Sequence, residues 1–161
     1  MSADSQHPVP SPEMPPEPSR RGWGLAERYG PLLGRILLVH IFLVSGAAKI
    51  LDWSGTEAQM DRKGMPLVPV LHVGALLCEL GGGLALLVGY RARLAALALF
   101  LFLIPTTVIF HNFWAAAPAE QIHQLDNFMK NLAIMGGLAF VMTFGPGPVS
   151  IERGGPWTAN P

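Results

Sequence analysis

Apolar residues along this chain fall into four long blocks separated by short polar breaks, and the lengths of the blocks set the class of the protein. Residues 94 to 110 (LAALALFLFLIPTTVIF) hold no charged residue, and residues 67 to 89 hold one, Glu79. Each comes near or passes the roughly 20 residues that a helix rising about 1.5 Å per residue needs to cross a bilayer. Residues 31 to 51 form a third block with Arg35 near one end and Lys49 near the other, where long stems can carry the charge to the headgroups. The clean run of the fourth block, Leu132 to Phe144, is too short alone. That span therefore begins near Leu125 and carries Lys130 at the interface. The pattern predicts an all-α integral membrane protein, a four-helix bundle with spans at 31–51, 67–89, 93–111 and 125–144.

The breaks complete the layout. Residues 1–30 hold six of the fifteen prolines, mostly in HPVPSPEMPPEPS, a composition that neither sustains a helix nor builds a core. They are expected to form a disordered cytoplasmic tail, with Pro31 in the first turn of span one. Residues 52–66 read as a polar loop containing Gly55 and Gly64, and Gly89-Tyr90-Arg91-Ala92-Arg93 ties spans two and three into an antiparallel hairpin. Gly145-Pro146-Gly147-Pro148 ends span four and leaves 145–161 as a flexible tail. No apolar stretch precedes Pro31, so span one is expected to serve as an uncleaved anchor. Arg20-Arg21 then read as cytoplasmic anchors rather than an export signal.

Only 14% of the residues are charged, against about 25% in soluble domains. The formal net charge is zero, which gives no electrostatic basis for binding nucleic acid. Arg20, Arg21, Arg28, Arg91, Arg93 and Arg153 fall on one side of the spans, and only Arg62 and Lys63 lie in the other loops. By the positive-inside rule both termini are cytoplasmic, and the loops 52–66 and 112–124 face outward. Cys78 is the one cysteine, which excludes an internal disulfide and a dithiol relay. Small residues inside the spans (Ser45 to Ala48, Gly81 to Gly83, Gly136 and Gly137) permit close helix approach and a homo-oligomer.

Two ionisable layers stand out in this apolar background. Counted inward from the span ends, Glu79 and His40 each lie about 17 Å deep. A carboxylate at mid-depth needs a partner, which His40 or Arg35 could supply. The second layer gathers where spans one, three and four meet the outer surface: Lys49 and Asp52; His111, Asn112 and Trp114; Asp126, Asn127, Lys130 and Asn131. Asp126–Lys130 and Asn127–Asn131 are i,i+4 pairs. Lys49 and Lys130 could hold an anionic group such as a lipid headgroup, a sulfur oxyanion or a quinone oxygen, with His111 as proton donor or acceptor. Lys, Trp and Phe alone would only mark an interface; the density of Asn, His and Asp beside them exceeds what a loop needs. His72 and His111 lack the paired spacing of haem ligands, His7 and His123 read as loop residues, and no metal cluster or phosphate loop is present in the sequence.

From about Gly34 to Thr143 the chain resembles the DoxX family of small bacterial membrane proteins. The resemblance is carried by Arg35 with Ser45-Gly46-Ala47-Ala48-Lys49-Ile50-Leu51-Asp52, by Glu79-Leu80-Gly81-Gly82-Gly83 followed by Gly89, by His111-Asn112-Phe113-Trp114, and by Phe128-Met129-Lys130-Asn131-Leu132 with Gly136-Gly137. It implies a multi-pass protein of the bacterial inner membrane linked to redox metabolism, with Arg35, Lys49, Glu79, His111, Trp114, Lys130 and Asn131 as residues to carry over. The family name comes from a subunit linked to quinone-coupled sulfur oxidation, and oxidoreductase subunits are the partners it implies. It leaves open whether this chain is itself an enzyme. The expected ligand is a quinone or another lipid-soluble molecule at an outer-facing mouth, bound by Arg35, Lys49, Asp52, Glu79, His111, Trp114, Asn127, Lys130 and Asn131. A noncatalytic scaffold for oxidoreductase partners and an oligomeric small-solute or lipid transporter are the alternatives.

Overall fold

The computed structural model describes residues 24–152; the proline-rich segment before Gly24 and the last nine residues lie outside the described residues. All regular structure within that range is helical: α1 Gly24–Leu51, α2 Trp53–Arg62, α3 Val68–Leu76, a π-helical turn Leu77–Gly82, α4 Gly83–Val88, α5 Ala92–Phe110 and α6 Pro118–Phe144, with a short 3-10 turn at Phe113–Ala115. Four stretches are long and apolar enough to span a membrane: α1, α3 through α4 as one continuous helix, α5 with the 3-10 turn, and α6. Most large apolar side chains point outward, among them Leu37, Val44, Leu77, Leu101 and Phe140, as expected where lipid rather than water is the surrounding solvent. The interior is a narrow column of Val39, Phe42, Leu86, Ala95, Ala96, Leu99, Leu103 and Leu138.

Several sequence expectations need correction. Helix α1 starts at Gly24, so residues 24–30 are not tail and Pro31 sits inside the helix. The stretch read as a polar loop over 52–66 is largely α2. Asp52 breaks α1 and its carboxylate accepts from Gly55 N–H at 3.1 Å, capping the new helix. Helix α6 begins at Pro118, not Leu125, because Pro at the first turn starts a helix and two polar turns, including His123, extend it. The part of the expected flexible tail within the described residues, 145–152, is tied to the bundle. Ile151 N–H donates to Val88 C=O at 3.0 Å and Glu152 N–H to Gly89 C=O at 3.1 Å, and the Glu152 carboxylate accepts from Ala92 N–H. One short strap thus closes the C-terminal end of α4 and caps the start of α5, satisfying groups that helix ends leave open.

Arg35, buried in α1, belongs to the same closure. Its guanidinium donates to the carbonyls of Leu86 and Leu87 and to Val149 C=O. These bonds, with the contact of Gly147 to Pro31, bring the start of α1, the α4–α5 turn and the strap to one end of the bundle. Gly89 makes the turn at φ +74°, with the Ser150 side chain and an Arg35 nitrogen already where a Cβ would sit. A left-handed backbone disfavours any side chain by about 1–2 kcal/mol before the clash is counted. Gly89→Ala is therefore expected to lower the midpoint of thermal unfolding in detergent by several degrees; an unchanged midpoint would show that the strap adjusts freely.

Candidate functional site

At the end of the bundle away from the strap, residues of all four spans and of α2 line a cavity of about 410 Å³, within the range of small-molecule sites. Its walls are mainly hydrocarbon: Ile41, Phe42, Val44, Met60, Phe102, Leu103, Phe110 and Ile134. Polar groups meet it at two poles. The first comes from α1 and the π-helical turn. Lys49 Nζ lies 2.9 Å from both oxygens of Glu79 and donates to Ser45 Oγ at 2.6 Å, while Ser45 Oγ donates to Glu79 Oε1 at 3.0 Å. Ser45 and Lys49 share a helix face at i,i+4. Close approach brings that face to Glu79, since a Cβ on Gly46 would run into Leu80. Glu79 itself sits within Leu77–Gly82, where the helix widens to i→i+5 bonding, a distortion found often at functional sites.

The second pole comes from α5 and α6. His111 Nδ1 lies 3.1 Å from Gln124 Oε1. An amide oxygen only accepts, so Nδ1 is the donor in this contact. Lys130 Nζ donates to Asn127 Oδ1 at 2.7 Å, and Asn127 Nδ2 donates to His123 C=O. Asn131 is buried and donates to Thr107 Oγ1 at 3.0 Å. His111, Lys130 and Asn131 line the cavity directly; Asn127 stands behind Lys130.

The structure thus joins what the sequence separated into two layers: Lys49 reaches down to Glu79 and they form one ion pair. It also separates some of what the sequence grouped. His40, expected beside Glu79, is exposed on the lipid-facing side with Nδ1 at Leu37 C=O. Arg35 serves the strap, 14 residues or about 21 Å along α1 from Lys49. Asp52 caps α2 and is outside the lining. Trp114 packs edge-on with Phe113 and Phe128 and is outside the lining. Asp126 is exposed and Lys130 takes Asn127 in place of the expected Asp126. Ser45, read from the sequence only as a small residue and as part of the family motif, proves a partner of Lys49 and Glu79, and its place four residues before Lys49 was the available signal; Thr107 and Gln124 escaped sequence reading. No group of three or more metal-binding side chains occurs among the described residues.

The family model for DoxX matches residues 30–112, more than half of the chain. The chain belongs to the DoxX family. That match takes in Arg35, Lys49, Glu79 and His111 and stops before α6, which supplies Lys130 and Asn131. Relatives align further. The chain is 38% identical over 129 residues to the inner membrane protein YqjF of Escherichia coli K12, covering 79% of this chain and 92% of that protein. It is 28% identical over 122 residues to the inner membrane protein YphA of the same organism, covering 76% and 87%. A surfeit locus protein 4 homolog of Schizosaccharomyces pombe is 30% identical over 128 residues, 78% of this chain but only 37% of that longer protein. No solved structure matches the chain. With four spanning helices, this DoxX-family chain is a multi-pass inner-membrane protein.

Proposed function

We propose that this DoxX-family protein serves redox metabolism by binding a quinone, or a lipid-soluble molecule of similar polarity, in the cavity between the Lys49–Glu79 and His111–Lys130 poles, which faces the outer leaflet. The observation that carries this reading is the arrangement of polar groups: two poles on opposite helix pairs with aromatic and aliphatic walls between them. A quinone ring presents two carbonyl acceptors on opposite sides of an apolar body and a hydrocarbon tail that reaches the cavity from the bilayer. Glu79 and Lys49 neutralise each other, so Lys130 adds a positive charge to a lining whose only acid is Glu79. That favours a ligand oxygen bearing partial or full negative charge. Oxidoreductase subunits are the partners this reading calls for.

Binding of a short-tailed quinone to the purified protein, followed by quenching of tryptophan fluorescence, tests the reading. Lys130→Ala is expected to weaken binding about tenfold, the loss of one charge-assisted hydrogen bond. Glu79→Gln is expected to weaken it by releasing Lys49. Affinities equal to the parent's in both correctly inserted variants would remove the cavity from consideration.

A further inference from the structure

Helix α2 forms part of the cavity wall, to which it contributes Thr56, Gln59 and the buried Met60. The chain bends on both sides of it. Asp52 breaks the backbone before it, and Gly64 at φ +70° and Leu67 at φ +50° follow it; a left-handed Leu is strained. Under the first turn of α2 sits His72, fully buried, its ring centroid 4.2 Å from that of Trp53. Neither ring nitrogen of His72 has a hydrogen-bond partner. Glu57 Oε1 of α2 lies 3.6 Å from Nδ1, within ion-pair distance but too long for a normal hydrogen bond. On α1, Lys49 is held at Glu79 and Asp52 at Gly55 N–H, so neither supplies the missing partner.

A buried imidazole with no hydrogen bond is costly, and the cost vanishes when water reaches it. The covered arrangement is therefore held by packing, chiefly Trp53 on His72 and Met60 in the cavity, and by the approach of Glu57 to Nδ1, against the unmet hydrogen-bonding demand of the ring nitrogens that lifting α2 would satisfy. We infer that α2 is a hinged lid over the cavity and that His72 keeps it ready to open, limiting how tightly the lid shuts. This deepens the reading of the cavity as a ligand site by naming how the site is regulated, and rests on that reading.

Access to the cavity can be read without any ligand, so the lid and the identity of the ligand fail separately. Ala75 lines the cavity beneath α2. In a Cys78→Ala background, Ala75→Cys gives a single thiol whose rate of modification by a water-soluble maleimide, in nanodiscs open on both faces, reports lid opening. His72→Phe keeps a ring against Trp53 and removes the polar demand, and is expected to slow modification about tenfold. Trp53→Ala removes the packing and is expected to speed it several-fold; should that variant fold poorly, Trp53→Leu replaces it with the same direction expected. His72→Phe modified at the parent rate or faster overturns the proposal, as does a rate unmoved by loss of the Trp53 ring.

Discussion

Lys49→Met is expected to destabilise the folded bundle by about 3–5 kcal/mol, the cost of leaving a buried carboxylate without its counter-ion. Glu79 is almost wholly enclosed, and its other described partner is the Ser45 hydroxyl. The loss should appear as a lowered unfolding midpoint in mixed detergent. Adding Glu79→Gln to Lys49→Met should recover much of it, because the amide needs no counter-ion and still bonds Ser45. That rescue separates the charge from the shape of the lysine stem. If Lys49→Met alone were as stable as the parent, the carboxyl would have to be held as a neutral acid, and the ion pair would not be what joins α1 to the π-helical turn.

The second large effect is expected at the other end. Arg35→Met removes a guanidinium that binds carbonyls of Leu86, Leu87 and Val149, and should cost about 2–4 kcal/mol, as hydrogen bonds from a charged donor are worth about 1.5–3 kcal/mol each and bond losses around one group do not add. Arg35→Lys should restore little, since an ammonium lacks the planar fork that reaches several acceptors at once. The distinguishing readout is hydrogen exchange at the amides of Ile151 and Glu152. These should lose protection in both variants while amides in the core of α5 keep theirs. Retained protection at the strap would show that Arg35 is not what fastens it.

The spans were legible in the sequence because hydropathy over some 20 residues is a strong signal, and Glu79 because a charge in such a run is conspicuous. What escaped were features decided by contact. Depth counted along a helix put Lys49 and Glu79 in different layers; the lysine stem covers that gap. It also put His40 level with Glu79, yet depth says nothing of which way a side chain faces around the helix. Helix α2 looked like a loop because its residues are polar, but a short helix capped by Asp52 and resting on the bundle needs only one buried side chain, Met60. The π-helical turn leaves no periodicity of its own in six residues. The strap was hidden by its glycines and prolines, since its order comes from Arg35, a residue 114 positions away from Val149.

That separation fixes an order of events during biogenesis. Arg35 enters the bilayer with the first span, yet its acceptor in the strap is translated 114 residues later, on the order of ten seconds at typical rates of synthesis. The carbonyl of Leu86 becomes available first, 51 residues after Arg35, so span two holds the guanidinium before the strap exists. The strap is thus the last clasp to shut, and its closing reports that all four spans have been threaded.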